Sequence, residues 1–171
     1  MCIQDQRLRL RKLTENDLQT LWEWANDIQV RAVSFSSDPI TWEDHVRWFS
    51  TKLSDPNSQL YMATDANDLS IGQVRFDIHN QEATISISID RQFRHQGYGH
   101  KIIQLAVARI CLDSGVKIVH AYIKLNNQSS VRAFTKAGFQ HIRTVEIQGH
   151  QAIQLSLELG NTKSSDGTAK C

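Results

Sequence analysis

Arg94-His95-Gln96-Gly97-Tyr98-Gly99 combines a cation and two closely spaced glycines between an alternating run and an amphipathic one. Glycine lets the backbone come close to a ligand, and the first N–H groups of a helix, with the helix dipole behind them, attract an anion. Residues of these types at this spacing would hold a phosphate or pyrophosphate. Such a loop works only if a strand delivers it and a helix follows it. Ala83-Thr84-Ile85-Ser86-Ile87-Ser88-Ile89 alternates apolar and hydroxyl residues, as a strand with two unlike faces must. Downstream, Ile103, Val107, Ile110 and Cys111 share a helical stripe, and Gly115 suits a stop.

Two commoner phosphate motifs do not fit. A dinucleotide fingerprint begun at Gly97 needs its third glycine at Ile102, and no Gly-Lys-Ser/Thr sequence occurs. A second constellation follows a strand expected over 118–124: Asn127-x-x-Ser130-x-x-x-Phe134-x-x-x-Gly138-Phe139. Gly138 suits a left-handed helix terminus, and Asn127 and Ser130 suit N-capping as well as ligand binding.

Composition narrows the function further. The chain has 171 residues, 40% hydrophobic and 22% charged, which predicts one domain over 1–159 with a sizeable core. Nineteen basic and eighteen acidic residues leave a net charge of +1, so no global basic field argues for nucleic acid. Cys2, Cys111 and Cys171 are far apart and without metal-type spacing, which argues against a disulfide framework and against a zinc site. With no long apolar run and a polar N-terminal stretch, no membrane partner and a cytoplasmic location are expected. Residues 160–171 lack apolar anchors and are expected to be a disordered tail.

The elements needed to position these residues follow in α/β order. Arg7–Leu13 reads as a strand, and Thr14 begins a helix with Leu18, Leu21, Trp22 and Ala25 on one face. Residues 27–39 read as a loop, and Thr41 caps a second helix with Val46, Phe49 and Leu53 inward. Leu60–Thr64, Ile71–Ile78 and Ala83–Asp90 read as an antiparallel meander. After the strand at 118–124 and its short helix comes a hairpin of Ile142–Ile147 with Ala152–Glu158.

The Arg-x-x-Gly-x-Gly loop together with the Asn127 to Phe139 motif resembles the Gcn5-related N-acetyltransferase (GNAT) superfamily. The resemblance implies its acyl-CoA N-acyltransferase fold, an α/β mixed central sheet of about seven strands with about four helices. It implies an acetyl-CoA co-substrate and no metal. The loop residues Arg94, His95, Gln96, Gly97, Tyr98, Gly99 and His100 would bind the pyrophosphate, the strand residues Ile87, Ser88 and Ile89 the pantetheine arm and thioester carbonyl, and Asn127 and Ser130 would contact the CoA arm. Transfer requires an oriented amine, removal of its proton and stabilisation of an oxyanion. Glu82 matches the position of the base in the similar ribosomal-protein alanine acetyltransferases; it also fits a solvated residue beside a hairpin turn. Asp77, His79 and a water held by Ser86 or Ser88 are alternatives. Many members carry a Tyr that protonates the leaving thiolate where this chain has Phe134.

The acceptor is read from the aromatic N-terminal third. Trp22 and Phe49 fall on inward stripes, whereas Trp24 and Trp48 do not, and flat aromatic faces beside Arg31 suit a sugar, a base and a diphosphate. Residues 24–36 and 40–49 resemble acetyltransferases of pseudaminic (nonulosonic) acid biosynthesis. That resemblance implies transfer to the 4-amino group of a UDP-linked 4-amino-4,6-dideoxy sugar, with Trp24, Asn26, Arg31 and Phe35 lining its pocket. Three rivals stand beside it: an N-terminal acetyltransferase of proteins, an acetyltransferase of polyamines or antibiotics, and a CoA-binding sensor or scaffold, assembled as a homodimer through its last strands.

Overall fold

The computed structural model describes residues 8–160. Strands β1 (Arg9–Lys12), β2 (Ser58–Thr64), β3 (Ser70–His79), β4 (Glu82–Ile89), β5 (Ile118–Lys124), β6 (Gln140–Ile147) and β7 (His150–Glu158) form one sheet in the order β1-β2-β3-β4-β5-β7-β6. Helices α1 (Leu18–Ala25), α2 (Ile28–Val33), α3 (Trp42–Ser54), α4 (Tyr98–Asp113) and α5 (Gln128–Lys136) cover it. Neighbouring strands run antiparallel except β4 and β5, which are parallel and pair only over Glu82–Thr84 and Ile118–His120. Beyond Thr84 the two strands part, so both present backbone polar groups to the gap between them.

Period-two alternation divides the core. Tyr61 and Ala63 of β2 join Val74, Phe76, Ile85, Val119 and Ala121 under α4, which contributes Ile102, Ile103, Ala106 and Ile110. Leu60 and Met62, on the opposite face, pack with Leu13, Leu21, Trp24 and Phe49 from the α1 and α3 side. Past α1 and α3 that second face turns polar: Arg75 and Asp77 on β3, Ser86 and Ser88 on β4, His120 and Tyr122 on β5.

Several sequence expectations shift. The segment 27–39 is not all loop: Asp27 accepts from the backbone N–H groups of Gln29 and Val30 and caps the six-residue α2, so the described residues hold five α-helices where about four were expected. Thr41 caps α3 as expected, accepting from Asp44 N at 3.2 Å. On α3 it is His45 and Phe49 that are buried, while Leu53 is exposed, because the sheet lies against the first two turns of the stripe. The final hairpin closes through Gln148 and Gly149, both at positive φ, so His150 belongs to β7. Gly138, at φ 105°, ends α5 as its position implied. Arg7 and the expected tail at 161–171 lie outside the described residues, as do Cys2 and Cys171.

Candidate acetyl-transfer site

The cleft grows out of the parting of β4 and β5. It has a volume of about 780 Å³ and is lined by Ile85–Ile89, Ala121–Lys124, the loop into α4, the first turns of α5, and Gln29, Val30, Val33, Ser34 and Phe35 of the α2 segment. None of its lining residues is acidic, while Arg94, Lys124, Arg132 and Lys136 bring positive charge to it. Such a lining fits a cofactor carrying phosphates.

The loop is built for close anion approach. His95 and Gly97 both take positive φ, 60° and 81°, and Gly97 caps α4, whose sixteen residues aim their first amides at the cleft. At Gly99 an added Cβ would stand 3.3 Å from the Ala133 Cβ, so its lack of a side chain lets α4 and α5 approach where the cleft runs between them. Asn127 caps α5, its Oδ1 accepting from Ser130 N at 3.3 Å, so capping and cleft lining coexist at this terminus. His100 lines the cleft too; burial, then Lys136 and Lys101, push its pKa below the ordinary value.

Not every loop residue faces the cleft with its side chain. Tyr98 is buried against Phe93, the rings edge to face at 5.9 Å, and Gln96 is exposed and donates to Gln92 O. Arg94 lines the cleft but its guanidinium is engaged: it donates to Ile89 O at 2.9 Å, to Asp27 Oδ1 at 3.0 Å and to Gln29 Oε1 at 2.9 Å. Burial pushes the Asp27 carboxyl upward, but hydrogen bonds from Arg94 and from the Val30 and Gln29 amides outweigh it and hold it below the ordinary range. The Arg therefore fastens the phosphate loop to the cap of α2. From the other bank, Lys124 Nζ donates to Ser34 O at 3.1 Å, so residues 27–34 form a strap across the open end of the cleft.

Of the four acceptor residues expected from sequence, the structure brings only Phe35 to the cleft. Trp24 is buried between α1 and the sheet and its indole N–H donates to Asp90 Oδ2 at 2.8 Å; the stripe turns one position from the expected one, leaving Trp22 half-buried. Asn26 bonds both ways with Ile40, donating to its O at 3.0 Å and accepting from its N at 2.8 Å. Arg31 donates to the carbonyls of Ala25, Ser36 and Asp38 and to Ser34 Oγ, bracing the bend after α2. These polar side chains hold backbone that no strand or helix satisfies.

Glu82 opens β4 beside the point where β4 and β5 part. Its side chain is 58% exposed, and its Oε2 lies 2.9 Å from Nε2 of His120, which is 16% exposed. The other ring nitrogen of His120 meets Ser156 Oγ at 2.6 Å and Gln154 Nε2 at 3.3 Å. An amide nitrogen can only donate, so Nδ1 accepts and the Nε2–H is directed at Glu82. His120 was not singled out from sequence. The alternation His120-Tyr122-Lys124 against Val119-Ala121-Ile123 was its available signal. Ser88 Oγ, on the cleft, and Gln73 Oε1, on the facing residue of β3, are buried and lack hydrogen-bond partners among the described residues.

An open edge between parting parallel strands, a glycine-capped helix aimed into it and a carboxylate-free lining define a protein that binds a phosphorylated thioester carrier and presents its acyl group to an amine. The model of the acetyltransferase (GNAT) domain matches residues 7–140, and this chain belongs to that family as an acetyl-CoA-dependent N-acetyltransferase. It is 31% identical over 139 residues to "Putative phosphinothricin acetyltransferase YwnH" of Bacillus subtilis (strain 168), covering 77% of this chain and 83% of the relative. In fold it is similar to spermidine N-acetyltransferase from Vibrio cholerae in complex with CoA and spermine, with 16% identity, TM-score 0.79 and coverage of 88% and 95%. A similar likeness holds to aminoglycoside acetyltransferase AAC(6')-Ib with coenzyme A and kanamycin, with 20% identity, TM-score 0.78 and coverage of 89% and 95%. Among the described residues no helix is long and apolar enough to cross a membrane, and no cluster of metal-ligating side chains occurs.

Proposed function

We propose that the acceptor is the 4-amino group of a UDP-linked 4-amino-4,6-dideoxy sugar, acetylated by direct transfer from acetyl-CoA. The observation that carries the reading is the state of the acids around the site. Asp77 is held by Lys52 at 2.6 Å and Arg75 at 2.9 Å, Asp27 by Arg94 at 3.0 Å, and Glu82 by His120 at 2.9 Å. Of these three, Asp77 and Asp27 are neutralised by cations and Glu82, whose partner His120 is neutral, keeps its charge, which leaves little to draw a polycation or repel an anion. The resemblance of residues 24–36 and 40–49 to nonulosonic-acid acetyltransferases adds the sugar nucleotide. The pairing of these acids disfavours polyamines and aminoglycosides.

In this reading the amine approaches the parting strands from the face bearing Ser86, Ser88 and Tyr122. The open β4 edge at Ile87–Ile89 orients the thioester and its N–H groups stabilise the oxyanion. Glu82 takes the amine proton through water and, being exposed, passes it to solvent, while His120 holds the carboxylate in place. Phe134 offers no proton, so the thiolate is protonated from solvent. A small anionic amine is the second reading, favoured by the 31% identity to the Bacillus relative.

The test is CoA release from acetyl-CoA with the UDP-amino sugar, phosphinothricin, an Ala-starting peptide, spermidine and kanamycin, for wild type and Glu82→Gln. Turnover confined to the sugar nucleotide, with kcat reduced about a hundredfold in Glu82→Gln, is expected. Preference for spermidine or kanamycin would overturn the acceptor assignment, and full activity of Glu82→Gln would overturn the base.

A further inference from the structure

We infer that Arg75, set against the indole of Trp48, receives the anionic group of the acceptor. The group is the diphosphate in the reading above, on which this inference rests. Arg75 stands on β3 directly opposite Ser86, a residue of the cleft wall, and its Nη2 reaches Ser86 Oγ at 3.5 Å. The guanidinium therefore borders the face from which the amine must approach. Ser86 and Ser88 stand two positions apart on β4, about 7 Å of strand, a separation comparable to the width of a pyranose ring. An anion on Arg75 and an amine beside the open β4 edge thus fit the two ends of one sugar.

The fork of Arg75 keeps a donor for an anion. Arg75 Nε donates to Asp77 Oδ2 at 2.9 Å, but the same carboxylate also takes Lys52 at 2.6 Å and Ser58 Oγ at 3.1 Å. Asp77 is thus shared by two cations, and Asp55 stands beyond Ser58, whose hydroxyl reaches both carboxylates at 3.1 Å. Trp48 fixes the plane of the fork, with the Arg75 Cζ 5.3 Å from its ring centroid. Trp48 is itself steadied by His45, whose ring lies 5.6 Å away and whose Nε2 bonds Leu18 O at 2.9 Å. By contrast, Arg31 and Arg94 are engaged with carbonyls and side-chain oxygens of the strap, whereas Arg75 Nη1 makes no hydrogen bond among the described residues. With 26% of its side chain exposed, Arg75 is reachable yet partly desolvated, which strengthens a fork-to-phosphate contact.

The test compares wild type, Arg75→Gln, Arg75→Lys and Trp48→Leu on the two anionic, charged acceptors, the UDP-amino sugar and phosphinothricin, and on the phosphate-free methyl glycoside of the amino sugar. Arg75→Gln is expected to raise KM for the charged acceptors by about tenfold or more while KM for acetyl-CoA and for the glycoside stays within about twofold. Arg75→Lys should fall between, since a point charge lacks the fork. In wild type, added salt should raise KM for the charged acceptors alone. UDP by itself should quench tryptophan fluorescence in wild type and not in Arg75→Gln or Trp48→Leu. If phosphinothricin is the substrate and Arg75→Gln raises its KM, the sugar assignment fails and the anion site stands. If the sugar nucleotide turns over and Arg75→Gln leaves its KM unchanged, or shifts the glycoside equally, the anion site is overturned and the acceptor assignment stands. Turnover of spermidine or kanamycin alone, or no turnover together with no UDP signal, overturns both.

Discussion

Replacing Arg94 by Gln separates two roles for the first residue of the phosphate loop. If its side chain served chiefly as a phosphate ligand, Arg94→Gln would weaken acetyl-CoA and leave the fold alone. The structure instead engages the guanidinium with Ile89 O, Asp27 Oδ1 and Gln29 Oε1, and the Asp27 and Arg94 side chains are each only 16% exposed. Hydrogen bonds to charged groups contribute about 1.5–3 kcal/mol each, and removing one member of a buried ion pair costs about 3–5 kcal/mol. Asp27 keeps the Gln29 and Val30 amides when Arg94 is lost, which softens the penalty. A loss of about 2–3 kcal/mol is expected, a fall in Tm of about 5–10 °C for a chain of this size.

Kinetics should register the strap. Val30, Val33 and Phe35 reach the cleft from the segment that Arg94 and Lys124 hold, so loosening it should raise KM for acetyl-CoA and for the acceptor together, by about fivefold. Asp27→Asn should reproduce the fall in Tm, and the double variant should cost less than the two added. Because the folded Asp27 pKa lies below its ordinary value of 3.8, the pair's contribution is complete above that value and fades as pH falls through the lowered one. The Tm difference between wild type and Arg94→Gln should therefore shrink at strongly acid pH. An unchanged Tm with only the acetyl-CoA KM raised would refute the latch and restore Arg94 as a phosphate ligand.

Phe134, buried against Phe139 with ring centroids 5.0 Å apart, lines the cleft where an acid would stand. Phe134→Tyr should change kcat by less than about tenfold, under about 1.4 kcal/mol, and a larger change would show that protonation of the thiolate limits turnover. Trp24→Phe should lose the Asp90 hydrogen bond and about 1–2 kcal/mol of stability, read by urea melts, with the acceptor KM unmoved; a raised KM would return Trp24 to the acceptor site. Burial, opposed by the bond to Leu18 O, holds the His45 pKa below its ordinary 6.5. The unfolded chain then binds the extra proton first, so stability should fall as pH drops below about 6.5, and urea melts across that range should show a smaller slope in His45→Gln.

Much of the cofactor half was legible because its physics is local. A period of two marked β4 and β5, glycines marked the two helix boundaries, and one asparagine marked a cap that also lines the cleft. The acceptor half was not, because its polar residues answer to distant partners. Asn26 and Arg31 carry the side chains a ligand site would use, yet what they meet is backbone left open by the bends around α2. Nothing in their spacing distinguishes a carbonyl of the chain from an oxygen of a substrate. Trp24 was misplaced by one helical position because a three-residue helical turn at Glu15–Asp17 precedes α1 and rotates its stripe. Arg75 and His120 passed unnoticed for the opposite reason. Each sits in a run that reads simply as strand, and only the register Arg75 to Ser86 and the short pairing of Glu82–Thr84 with Ile118–His120 put them on the polar face beside the cleft wall.

The strap explains why two binding events should be coupled in so small a site. Arg94 belongs to the loop into α4, proposed to receive the pyrophosphate, and the residue it holds, Asp27, caps the helix that walls the cleft. Any shift of the loop that accompanies cofactor binding is felt by the cap of α2, and through it by Phe35, one residue beyond the carbonyl that Lys124 holds on the other bank. By linkage the coupling runs both ways: whatever the acceptor gains from a loop already set by acetyl-CoA, acetyl-CoA gains equally from a strap already set by the acceptor. In Arg94→Gln that mutual gain should vanish, leaving the KM for each substrate independent of the concentration of the other.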